Sequence, residues 1–85
     1  MTRSDILDLA AHTLEARAGT YGPADVAIQA IAARWSLSLG MPVTPAQVVL
    51  CMIDLKMVRL AHDPSHRDSL VDVIGYAALM PEVQR

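Results

Sequence analysis

Apolar residues recur at helical spacing in four stretches of the chain, and short breaks rich in glycine and proline separate them. In the first stretch Ile6, Leu9, Ala10, Thr13 and Leu14 fall three and four residues apart, the period of one helix face. Ser4 stands ahead of them as an N-cap, Asp5 and Asp8 suit a positive first turn, and Gly19 is a stop signal. The spacing therefore predicts a helix from about Ser4 to Ala18. Asp8, His12 and Glu15 line another side of it, which reads as a solvated face unless His12 or Glu15 reaches a site. The break GTYGP leads into a second helix that starts with Pro23 at its first position. Its stripe is Ala27, Ile28, Ile31, Trp35 and Leu39, and Gly40 ends it.

The third helix opens on Thr44 as N-cap, with Pro45 behind it and Gln47 placed to close a capping box. Its body is apolar almost all round, and Asp54, Lys56 and Arg59 are its only charges. A helix of that kind is either central to the fold or buried between subunits. His62, Asp63 and Pro64 break it. Ser65 and Asp68 read as a second capping box, opening a fourth helix that ends before Pro81 and buries Leu70, Val73, Ile74 and Ala77. Gly75 lies inside that helix at a cost of about 1 kcal/mol relative to alanine, so close packing against a neighbour is expected there. With no strand pattern, repeat or linker, the chain reads as one all-α domain over residues 1–85, a small bundle of about four helices.

Composition adds an expectation about assembly. The chain is 53% hydrophobic over 85 residues. A domain this small buries only about 60–65% of its extended-chain surface, which leaves apolar patches of the kind that mark interfaces. A homo-oligomer is expected, with the third helix at or near the contact. No apolar run approaches the ~18 residues a membrane span needs, and the N-terminus has no apolar secretion segment, so no membrane partner is expected. Cys51 is the single cysteine, set in an apolar stretch, and reads as a buried, inert thiol in a reducing compartment. A net charge of -2, with seven Lys and Arg and no basic block, argues against gripping a nucleic-acid polymer.

The chemistry-bearing residues gather around HDPSHRDSLVDVIGYAA, residues 62–78. Asp68 and Asp72 are four apart, so both project from one side of the fourth helix, and Tyr76 continues that side. Two carboxylates so placed can hold magnesium or accept hydrogen bonds from a sugar or base. Lys56 and Arg59, roughly 60° apart on the third helix, can hold phosphate, or they can salt-bridge to Asp68 or Asp72 across the helical hairpin. His62 and His66 flank the elbow as ligand donors or helix caps; with one cysteine and no further cluster, zinc is not expected. Tyr21, between two glycines, can stack on a base or pack on the core, and Trp35 reads as core or interface.

The motifs T-Y-G-P, I-x-A-R-W, V-T-P-A-Q-V, L-K-x-x-R-L-A and H-x-D-S-x-x-D-x-x-G-Y-A together resemble a phage and prophage domain family of unknown function, over nearly the whole chain. Its motif positions fall here on Tyr21, Gly22, Arg34, Trp35, Lys56, Arg59, His66, Asp68, Ser69, Asp72, Gly75 and Tyr76. The helical hairpin with a late acidic motif is also distantly similar to the all-α nucleotide pyrophosphohydrolases of the MazG type. Those enzymes hold magnesium on a triphosphate with an E-x-x-E on one helix and an E-x-x-D on the next. Here Ser69 stands where a second acid would be, the third helix offers only Asp54, and Thr20 replaces the acid usual before Tyr-Gly.

The resemblance implies a phage-type protein, in the host cell cytoplasm, that binds a nucleotide or cyclic nucleotide-type signal. With the catalytic acids missing, it would sequester a host immune signal without cleaving it and without a cofactor. Tyr21, Lys56, Arg59, His62, His66, Asp68, Asp72 and Tyr76 are the candidate ligand-binding residues. The alternatives are a magnesium-dependent nucleoside triphosphate pyrophosphohydrolase, with Asp68 and Asp72 on the metal, and a protein–protein interaction module.

Overall fold

In the computed structural model, which describes residues 1–84, the chain forms four helices: α1 (Arg3–Tyr21), α2 (Ala24–Leu39), α3 (Pro45–His62) and α4 (Arg67–Val83). The all-α bundle expected from the periodicity is what forms. Its ends show where local chemistry won and where it lost.

At the start of α3 local chemistry is sufficient. Gln47 N–H donates to Thr44 Oγ1 at 3.1 Å, and Thr44 N–H donates to Gln47 Oε1 at 2.9 Å, which closes the expected box with Pro45 behind the cap. Gly40 ends α2 in the left-handed region, also as expected. α1 differs at both ends. Its cap is Thr2, not Ser4: Thr2 and Asp5 exchange bonds of 2.8 and 3.2 Å and leave Ser4 inside the first turn. The helix also runs through Gly19, which is exposed with nothing close to it, and stops at Gly22 with φ at 85°. Pro23 sets that stop, because it disfavours helical backbone in the residue before it, and α2 then begins one residue later, at Ala24.

The Thr2 backbone and side-chain bonds hold the Asp5 carboxyl below the ordinary carboxylate range. A lowered folded-state value stabilises the first turn above the unfolded value of 3.8, and that contribution disappears as pH falls through the folded one. The protection factors of the Asp5 and Ile6 amides, taken relative to their intrinsic exchange rates, should therefore fall in that acid window, and Asp5→Asn should remove the pH-dependent part.

α4 starts differently from the expectation. The Ser65 hydroxyl donates to the charged Asp63 carboxylate at 2.7 Å, so it is not available to cap. His66 caps instead: Ser69 N–H donates to His66 Nδ1 at 3.3 Å, and Ser69 Oγ lies 2.7 Å from the same nitrogen. At its other end α4 passes through Pro81 to Val83. The carbonyl that Pro81 cannot serve belongs to Ala77, an exposed residue, so water can satisfy it.

The central helix is α4, not α3: it packs against all three others, whereas α3 reaches only α2 and α4. Its buried residues are Ser69, Val71, Asp72, Gly75 and Val83. Leu70, Val73 and Ile74 of the expected stripe are half-buried, and Ala77 is exposed. A helix covered on several sides buries whatever faces its neighbours, polar residues included. The main core joins Ile28 and Ala32 of α2, Val48 and Val49 of α3 and Val83 of α4, with Trp35 and Tyr76 packed at its edge.

Candidate functional site

Asp72 is the organising residue. It is buried in the middle of α4, and its two oxygens face cations from two other helices. Lys56 Nζ of α3 lies 3.0 Å from Oδ2, and Arg17 Nη1 of α1 lies 3.0 Å from Oδ1. The two contacts differ in kind. The Lys56 side chain is 12% exposed and belongs to the interior; that of Arg17 is 50% exposed and reaches in from solvent. The Arg17 contact is ionic without the alignment of a hydrogen bond, so Oδ1, itself fully buried, has no hydrogen-bond partner among the described residues.

The triad lies beside a cleft of about 470 Å³ between α1 and α2. Arg17 and Tyr21 line one wall and Ile28 and Ile31 the other; Lys56, Asp72 and Tyr76 meet at its base. Tyr21 is widely exposed at the end of α1, while Tyr76, one turn beyond Asp72, is half-buried. Gly75 faces Leu14: a Cβ built there would sit 3.4 Å from Leu14 Cδ2, an ordinary contact with a movable side-chain end. Close approach of backbones is thus not what requires glycine. Gly75→Ala should raise stability by up to about 1 kcal/mol through helix propensity, measured by urea unfolding.

Of the residues proposed from the sequence, Tyr21, Lys56, Asp72 and Tyr76 come together on this cleft. Arg59, His62 and Asp68 are exposed and line no part of it, and His66 serves as the α4 cap. Asp68 and Asp72, although four apart, have different environments: the first is exposed in the opening turn and the second is buried under two cations. Among the described residues no three His, Cys, Asp or Glu side chains gather within reach of one metal ion. The two carboxylates that the enzyme alternative would place on one metal, Asp68 and Asp72, do not share the cleft: Asp68 is exposed outside it and Asp72 is paired with Lys56 and Arg17. Cys51 is exposed rather than buried, on the outer side of α3.

Arg17 was not among the sequence candidates. Its signal is the spacing Leu14, Arg17, Ala18, Tyr21, which continues one helix face toward the cleft. Ending the first helix at Ala18 hides that continuation.

The pattern of the domain family of unknown function DUF6378 matches residues 5–84, and the chain belongs to that family. It is similar to the Gene 55 protein of Mycobacterium phage L5, with 36% identity over 69 residues. That match covers 80% of this chain and 44% of the phage protein, so the chain spans less than half the length of that relative. No solved structure matches it. No helix among the described residues is long and apolar enough to cross a membrane.

Proposed function

We propose that this phage-type domain binds a nucleotide-type anion in the cleft between α1 and α2 and holds it without chemical change. The observation that carries this reading is the charge arrangement at the base of the cleft. One carboxylate faces two cations there, which leaves a surplus of one positive charge beside Asp72. Lys56 is held by burial, and the half-exposed Arg17 keeps guanidinium N–H groups free to fork onto a phosphate. Asp72 Oδ1, buried under Arg17 and without a hydrogen-bond partner among the described residues, becomes an acceptor for a ribose hydroxyl or an exocyclic amine once Arg17 turns onto the ligand. Tyr21 and Tyr76 supply ring faces, and the volume falls within the ~300–1,000 Å³ usual for small-molecule sites. Arg59, His62, His66 and Asp68 then belong to the elbow and the helix ends rather than to the ligand.

Asp72 is paired with two cations and Asp68 lies outside the cleft, an arrangement that favours holding an anion over placing both carboxylates on one metal. A phage protein that captures a host-made signal nucleotide would lower its free concentration, and this gives sequestration of an immune signal as the biological use. The test is equilibrium dialysis against a panel of mononucleotides and cyclic dinucleotides, with the retained fraction analysed after denaturation. Recovery of an intact nucleotide is the expected result. Recovery of a nucleoside monophosphate with pyrophosphate would establish the enzyme reading instead, and retention of nothing would remove nucleotides as the ligand class.

A further inference from the structure

The outer side of α3 is apolar and uncovered. Leu50, Leu55, Met57 and Val58 are all exposed there, Val58 to 72%, and Cys51 and Ala61 lie among them. At 100° per residue Val58 stands in the middle of this face. Asp54 precedes it and His62 follows it by about one turn, each displaced by about 6 Å along the axis. Both are exposed, and neither makes a side-chain hydrogen bond or an ion pair among the described residues. The pattern acid–apolar centre–imidazole is self-complementary. When a second α3 is laid antiparallel about a two-fold axis through Val58, each Asp54 comes opposite the second copy's His62, at both ends of the contact. A two-fold contact requires this match of a surface with itself. Lys56, pointing into the cleft, lies about 160° around the helix from Val58, so the cleft stays open in such a pair.

We infer that α3 is the interface of a homodimer, with Val58 packing on its own symmetry mate and Asp54 paired with His62 of the second copy. Sedimentation equilibrium of the 85-residue chain over the micromolar range should report a dimer. Val58→Asp places two like charges together on the axis and should raise the dissociation constant at least about a hundredfold, with helicity by circular dichroism unchanged because Val58 is a surface residue. Asp54→Lys and His62→Asp should each weaken the dimer, and the double variant, which restores opposite signs across the axis, should recover it. Val58→Cys in a Cys51→Ser background should oxidise to a covalent dimer, whereas Gln29→Cys in the same background, also exposed but on α2, should not. A wild-type chain that stays monomeric overturns the inference and assigns the face to another protein or to a further segment of a longer chain. A dimer indifferent to Val58→Asp overturns the interface, and failure of the charge-swapped pair to recover overturns the register.

Discussion

Asp72→Ala should destabilise the domain by about 3–5 kcal/mol, measured by urea unfolding followed at the helical circular-dichroism band. The size of the effect comes from what is left behind. Lys56, with a side chain only 12% exposed, would keep its charge in the interior with no partner. Arg17 would lose little, because it is half in solvent and can turn outward. For a chain of 85 residues a total stability of about 4–13 kcal/mol is typical, so the variant loses a large share of it. The double variant Lys56→Met/Asp72→Leu should recover most of the loss, since it removes both buried charges and fills the volume with apolar atoms. If Asp72→Ala costs less than about 1 kcal/mol, the Lys56 contact is solvated and the triad is not a buried structural element.

The caps of this fold were legible in the sequence where one local interaction decided them, and illegible where two competed. Thr44, Pro45 and Gln47 have no rival partners nearby, and α3 begins where they say. Ser65 has the cap-box spacing to Asp68, but the Asp63 carboxylate two residues back takes its hydroxyl, and the cap passes to His66. Gly19 carries a stop signal that only a weak propensity enforces, whereas Pro23 imposes a steric one, and the steric one decides.

Four of the eight ligand-binding candidates named from the sequence line the cleft, for a related reason. Lys56, Asp72, Tyr76 and Tyr21 could be picked out because each is a polar or aromatic residue in an apolar run or a glycine turn. Their convergence could not be read, because it depends on α1 and α2 packing on α4 while leaving the space between themselves open. Asp68 and Asp72 show the limit of periodicity most plainly. Helical spacing puts both on one side of α4, but tertiary packing covers Asp72 and leaves Asp68 exposed, and burial gives the two carboxylates different chemistry. The same packing explains why α3, the most apolar helix, is not the central one. α4, which carries glycine, serine and aspartate where helices meet, can be approached on more sides.

Arg17→Ala should separate binding from folding. Its side chain is 50% exposed and its contact with Asp72 is poorly aligned, so loss of the ion pair should change stability by no more than about 1 kcal/mol. The same substitution removes the one guanidinium that reaches the cleft among the described residues. If the cleft holds a phosphate, a charge-assisted contact of about 1.5–3 kcal/mol is lost, roughly ten- to a hundredfold in affinity. Arg17→Lys should fall between, because it keeps the charge and loses the planar fork. The two cations on Asp72 thus have opposite expected signatures. Lys56→Ala should register mainly in unfolding, through the buried carboxylate it leaves with fewer partners, and Arg17→Ala mainly in calorimetric titration with the nucleotide that the wild type retains. Equal losses of stability for both variants, with no change in any affinity, would reduce the triad to a structural tie between three helices and remove the cleft as an anion site.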